Sequence, residues 1–261
     1  MTTRVPLMHL DSVQASSSDH APLSSSIRLP TLVLLPGMDG TGNLFEPLIG
    51  ALGADFKVLV VRYPETQSLG YDELVSYVSG LLPADEPFVL LGESFSGPIA
   101  IKLATASRPG LCGVILCCTF ARNPRPALTW LRHLLPWVPF NWIPTTLLNW
   151  ALLGSFATGT LRGLLKEAVG RVSPSVMRTR VRAVLEVDVT VELSQMRVPC
   201  LYLQASADRV VPARAATLIR RVLVSVQLVR LDAPHCLLQG VPEKSADALA
   251  SFVRRLGLTV S

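Results

Sequence analysis

The sequence predicts an α/β fold: a mostly parallel central sheet of about six strands, helices on both faces, and a helical cap inserted late in the chain. Three observations carry this. From Thr31 onward, short apolar runs alternate with segments of helical spacing, as in a parallel sheet with crossover helices. Nearly all the runs are apolar on both faces, as strands covered on both sides must be. The alternation breaks once, between Phe120 and Pro199, where about eighty residues stand in place of a short crossover.

The predicted strands are Thr31–Leu35, Lys57–Arg62, Phe88–Leu91, Gly113–Cys118, Cys200–Gln204 and Gln227–Leu231, with helices over Tyr71–Leu82, Gly97–Ser107, Ala213–Val222 and Glu243–Leu256. Before them, the Ser-rich stretch Ser12–Ser26 cannot bury enough surface to offset its ordering entropy, and residues 1–28 read as a flexible arm. The core is then 29–120 and 198–261, interrupted by a cap over 121–197. A length of 261 residues suits one large domain with an insertion. Hydrophobic residues make up 49% and charged residues 16%, which excludes intrinsic disorder.

The mean hydropathy of +0.42 raises the question of a membrane. Leu134–Leu161 has 28 consecutive residues without a formal charge and holds Trp137, Trp142 and Trp150, with Trp130 just before it. The length would suffice to span a bilayer. Pro136, Pro139 and Pro144 argue instead for two short helices around an irregular apolar elbow. The segment reads as a lid over an apolar pocket, its tryptophans offered to substrate, with interfacial membrane contact as the alternative. The basic stretch after it, Arg162, Lys166, Arg171, Arg178, Arg180 and Arg182, reads as a solvated helix surface or, on the minority reading, a site for an anionic partner.

The net charge of +5 is spread out, with no run that would track a phosphate backbone, so no nucleic-acid partner is expected. The five cysteines lack zinc-site spacing and read as reduced, mostly buried thiols. The apolar patch Val5–Leu10 is too short for a secretory leader, so a cytoplasmic location is the expectation.

The third strand runs through Gly92-Glu-Ser-Phe-Ser-Gly97 straight into a helix. A serine between a strand end and a helix start, with small residues around it, can be held in a tight turn that presents its hydroxyl above the sheet. Ser94 is that serine; Ser96 is a poorer candidate, and a helix N-cap is the bland reading of Ser94. A serine hydroxyl needs a base. His9 and His20 lie in the arm and His133 in the insertion, which leaves His235, in the loop after the last strand. The orienting carboxylate is Asp208, after the fifth strand, with Asp232 as competitor. The glycine-rich loop Pro36-Gly-Met-Asp-Gly-Thr-Gly42 lacks the Lys-Ser/Thr of a phosphate loop and instead suits one donor of an oxyanion hole. The donors would be the N–H groups of Met38 and Phe95.

With this oxyanion loop, elbow, Asp208-x-x-Val-Pro212 and final histidine, Leu29–Leu256 resembles an α/β-hydrolase with a cap after the fourth strand. The loop Pro36–Gly42 also resembles that of plant phytyl ester synthases, and the general plan that of small carboxylesterases such as pimeloyl-carrier-protein methyl ester esterases. Two departures stand out: Pro36-Gly37 where the family commonly has His-Gly, and Ser96 in place of the last elbow glycine. The resemblance implies a serine hydrolase that cleaves carboxylic esters with an apolar acyl or alcohol part, with no metal or organic cofactor. A thioesterase or acyltransferase, a non-catalytic ligand-binding protein of the same fold and a membrane-associated scaffold remain as alternatives. The expected partner is a small apolar ester or acyl compound.

Overall fold

The structure, a computed structural model, describes residues 29–106, 108–138, 140 and 144–256. The expected arm over 1–28 and Trp142 lie outside the described residues. Six strands are present: β1 (Thr31–Leu35), β2 (Val58–Val60), β3 (Phe88–Glu93), β4 (Leu111–Cys117), β5 (Cys200–Ala205) and β6 (Gln227–Leu231). They form one sheet in the order β2-β1-β3-β4-β5-β6, with every neighbouring pair parallel.

The helices are α1 (Glu46–Leu52), α2 (Tyr71–Ser79) and α3 (Gly97–Thr105), then α4 (Thr145–Leu152), α5 (Gly159–Arg171) and α6 (Pro174–Glu186) in the insertion, and α7 (Thr190–Gln195), α8 (Arg214–Val222), α9 (Leu237–Gly240) and α10 (Pro242–Arg255). The sequence reading had no counterpart for α1, whose Leu48 and Leu52 supply only a short apolar stripe.

Successive strand side chains point to opposite faces, and this sorts the core into two halves. Leu32, Leu34, Val89, Leu91, Ile115 and Leu201 face α1, α9 and α10. Val33, Leu35, Leu90, Val114, Leu116 and Tyr202 face α2, α3, α7 and α8. Both halves are apolar, so the inner strands read as continuous hydrophobic runs. The edges differ from that expectation: β2 is only half-buried, and β6 leaves Gln227, Leu228 and Arg230 exposed. An edge strand has one neighbour and less cover, so its outer residues can be polar.

The insertion is pinched at its base. Asn123 N–H donates to the Val187 carbonyl (3.0 Å), Val189 N–H to the Ala121 carbonyl (2.7 Å), and Arg122 bridges Asp188 in antiparallel register. Beyond this neck α7 packs into the core half that includes α3. Within the insertion, the proline-bearing stretch forms 3-10 turns over Pro126–His133 and Leu135–Trp137, since proline cannot donate an intrahelical bond. The α5 and α6 helices begin at side-chain caps: Thr158 accepts from Leu161 N–H (3.2 Å) and Ser173 from Val176 N–H (3.3 Å). No helix among the described residues is long and apolar enough to cross a membrane.

At the start of α3, Gly97 lies against the segment after β4, and a Cβ there would overlap the side chain of Thr119. Gly97→Ala must therefore push α3 and Thr119 apart, and a loss of about 1–3 kcal/mol is expected from overpacking of this kind. Thermal unfolding checks it; an unchanged Tm would contradict this packing.

Candidate functional site

In an all-parallel sheet the loops leaving the carboxyl ends of the strands gather along one edge, where ligands bind in open α/β folds. Four such loops matter here, those after β1, β3, β5 and β6. β3 runs two residues further than the sequence suggested, pairing Gly92 with Leu35 of β1 and Glu93 with Cys117 of β4. Ser94 is thus the first residue off the strand, two before Ser96 and three before the start of α3.

Ser94 has φ 48, the left-handed region that a residue with a side chain seldom enters. The surroundings allow this turn because they leave room below it. A Cβ on Gly92 would lie 2.7 Å from the Ser96 carbonyl oxygen, so only glycine fits there. Thr119 Oγ1 donates to the Ser94 carbonyl and holds the turn from the segment after β4.

The half-buried Ser94 hydroxyl lies 2.9 Å from Nε2 of His235. His235 Nδ1 lies 2.9 Å from both carboxylate oxygens of Asp208. Asp208 is itself oriented by its own loop, since Oδ1 accepts from the N–H groups of Val210 and Val211, both at 2.8 Å. The imidazole and the carboxylate are almost fully buried, with side chains 6% and 7% exposed. Nδ1–H therefore faces the carboxylate, which leaves Nε2 as acceptor toward the serine. The structure thus brings Ser94, His235 and Asp208 into one hydrogen-bonded relay. Asp232 is not in it; it accepts from Ser206 at 2.8 Å and ties two loops together.

Met38 occupies the corner of a β-turn closed by Gly40 N–H donating to the Gly37 carbonyl (3.0 Å). Two contacts fix this turn. On the elbow side, Ser96 Oγ donates to the Pro36 carbonyl and accepts from the Tyr63 hydroxyl, 2.6 Å away. The serine that replaces the last elbow glycine is therefore a strut between elbow and turn. From the insertion, Arg180 of α6 donates through Nη1 to the carbonyls of Met38 (2.8 Å) and Asp39 (2.9 Å), and through Nη2 to that of Pro64 (3.1 Å). Arg180 is 1% exposed, so the solvated surface expected for this residue is not what forms. Its stripe partners Val176, Ala183 and Val187 point inward as well, at helical spacing. That spacing was the available signal; a charge in an apolar stripe is easily taken for its edge. Among the other basic residues of the stretch, Arg162, Lys166, Arg171 and Arg182 are exposed and Arg178 is half-buried.

The sequence model of the alpha/beta hydrolase family matches residues 32–249. The chain belongs to the alpha/beta hydrolase family. Among solved structures, the fold is similar to an esterase from Thermogutta terrifontis (TM-score 0.75, 20% identity, covering 88% of this chain and 91% of that one). It is similar to an esterase from Exiguobacterium antarcticum (TM-score 0.74, 17% identity, 86% and 92%) and to a bromoperoxidase from Bacillus anthracis (0.74, 16%, 86% and 92%). A segment of 116 residues is 32% identical to phytyl ester synthase 1 of Arabidopsis thaliana, a chloroplastic protein; it covers 41% of this chain and 16% of that protein.

In this α/β-hydrolase the insertion between β4 and β5 touches the loops that carry His235 and Asp208. Cys236 N–H, next to His235, donates to the Leu152 carbonyl at the end of α4 (3.0 Å), and Cys236 packs with Leu153 and Leu165. The Asp208 loop is held from the insertion too, by Arg125 on the carbonyls of Arg209 (2.7 Å) and Val210 (3.2 Å). Of the tryptophans offered to substrate by the sequence reading, Trp137 is 84% exposed. Trp150 is 57% exposed, with the Arg209 guanidinium 4.7 Å from its ring centre.

Glu93, which the sequence reading did not single out, sits directly before the elbow and is 6% exposed. Gln239 donates to it at 3.1 Å. Burial pushes its carboxyl up from 4.5 to about 7, opposed by the Gln239 hydrogen bond, with Asp39 nearby adding to the rise and His235 countering it. A carboxyl with a raised folded-state pKa binds its proton more tightly in the folded protein. Stability then falls as pH rises from about 4.5 to about 7, by up to roughly 3 kcal/mol in the limit of complete burial. Glu93→Gln keeps the acceptor for Gln239 and removes the charge, so it should flatten that fall and raise Tm at about pH 8. A Tm profile that keeps the wild-type slope would show that Glu93 is not its source.

Proposed function

We propose that this α/β-hydrolase cleaves carboxylic esters with an apolar acyl or alcohol part through an acyl-enzyme on Ser94. The observation that carries the reading is the relay of Ser94, His235 and Asp208 at 2.9 Å spacings, with its serine on a left-handed turn. His235 Nε2 takes the hydroxyl proton as Ser94 Oγ attacks the ester carbonyl. The N–H groups of Met38 and Phe95 receive the charge that develops on the carbonyl oxygen. The alcohol leaves with the proton from His235. Water, deprotonated by the same nitrogen, then attacks the acyl-serine, and the acid departs as Ser94 regains its proton. Asp208 holds the imidazole in the tautomer that both steps require and stabilises its charged form. None of these steps calls for a metal or an organic cofactor. The uncharged stretch of the cap supports an apolar substrate and suits a small acyl compound as the partner.

The segment shared with phytyl ester synthase 1 favours a second reading on the same serine, in which an alcohol replaces water at the acyl-enzyme. The first half-reaction is unchanged, and only the acceptor differs.

Ser94→Ala should lower turnover of p-nitrophenyl butyrate by at least about 10³-fold while the circular-dichroism spectrum stays that of the parent. Undiminished turnover would sink the proposal. Acyl transfer is read separately: with an acyl thioester as donor and a long-chain alcohol present, an ester product that grows with alcohol concentration supports it, and free acid alone dismisses it.

A further inference from the structure

We propose that Arg180 is a positioning residue for catalysis: from the cap, it holds the oxyanion turn in the geometry that the transition state needs. This rests on the role given above to the Met38 N–H.

The turn Gly37–Gly40 has its two corner carbonyls, Met38 and Asp39, on a single nitrogen of Arg180. Fixing a carbonyl fixes the peptide plane to which it belongs. With Met38 O held on one side and Pro36 O held by Ser96 on the other, the peptide group between them, which carries the Met38 N–H, has little freedom to rotate. An oxyanion donor works by being aimed in advance at a position that the ground-state carbonyl does not yet occupy. Without Arg180 the turn would keep its closing bond, the Asp39–Thr41 bonds, the Ser96 contact and the Tyr63 N–H on the Gly40 carbonyl, but none of these holds the Met38 carbonyl.

The guanidinium is built into this place rather than resting there. Gly40 has φ 73, and a Cβ on it would lie 2.6 Å from Arg180 Nη1, so the turn is shaped around the arginine. The guanidinium carbon lies 5.6 Å from the ring centre of Tyr63, the residue whose hydroxyl reaches Ser96. Cap, turn and elbow are thereby connected through Arg180, Tyr63 and Ser96. The same connection makes the catalytic turn depend on the cap being seated, since α6 carries the arginine.

The test uses the full chain. Arg180→Met keeps the stem and volume but removes the donors, and Arg180→Lys keeps the charge. Active serines are counted with a fluorophosphonate, and kcat is expressed per labelled serine on p-nitrophenyl butyrate. Arg180→Met should lose at least about tenfold in kcat with KM within about twofold, and affinity for a trifluoromethyl ketone, whose adduct carries an oxyanion, should fall in parallel. Arg180→Lys should lie between, because one ammonium cannot span three carbonyls in the fork geometry of a guanidinium. A wild-type kcat per labelled serine, with only yield or Tm reduced, would overturn the proposal. If Arg180→Met does not fold, Arg180→Lys decides on the same readings, and a full kcat there also overturns it. Unlabelled wild-type Ser94, with turnover retained in Ser94→Ala, would instead remove the serine mechanism on which the clamp rests.

Discussion

The left-handed turn at Ser94 is the constraint around which the site is arranged. A non-glycine residue at φ 48 costs of order 1–3 kcal/mol and persists only where neighbours over-determine it. Those neighbours come from three parts of the chain. Gly92 leaves space under the turn, Thr119 after β4 holds its carbonyl, and Gly97 lets α3 start against the sheet. Phe95, fully buried, stacks on Tyr71 with ring centres 4.8 Å apart, while the Tyr71 hydroxyl donates to the Phe95 carbonyl at 3.1 Å. The residue after the serine is therefore held through both its ring and its carbonyl.

Once the elbow is set, the parallel sheet does the rest of the assembly. β1 lies directly beside β3, which puts the Pro36–Gly42 loop next to the elbow; β5 and β6 lie beyond β4, which sends Asp208 and His235 in from the other side. His235 follows Ser94 by 141 residues, and the two meet because each leaves the same end of the sheet. Each loop also has its own local fastening: Asp39 accepts from Thr41 N–H and hydroxyl, and Asp208 from two N–H groups of its own turn. These carboxylates shape their loops locally, and contacts from Ser96, Arg180 and Arg125 then fix how each loop sits.

The strands and the residues that meet around Ser94 were legible in the sequence because each rests on a local pattern: an apolar run, a glycine-flanked serine, a histidine left over after the others were placed. What stayed hidden depends on contacts distant in sequence. Arg180 carries the same letter whether it points to water or into a turn 140 residues earlier, and only its place in the stripe Val176, Ala183, Val187 distinguishes the two. Ser96 looked like a crowded substitute for glycine, and its partner Tyr63 lies on a loop with no motif. Glu93 has no local signal, because its burial comes from Gln239 and the surrounding loops far along the chain. The edge strands were read as buried because Lys57–Arg62 and Gln227–Leu231 contain enough Val and Leu to look like inner strands; β2 then proved to keep only three of its expected residues.

The energetic position of Arg180 separates a structural explanation from a functional one. Removing a guanidinium from water costs several kcal/mol, and burial lowers its affinity for the proton even here. Among the described residues no carboxylate lies within 4.0 Å to offset this as a direct ion pair; the offset comes from three carbonyl oxygens, the face of Tyr63 and the more distant charge of Asp39, while Nε finds no partner at all. An apolar side chain of similar volume generally serves stability as well as a buried charge does or better. Stability alone therefore gives no reason for an arginine at this position. What an apolar side chain could not do is hold three carbonyls in fixed orientation, and two of those belong to the turn that carries the Met38 N–H.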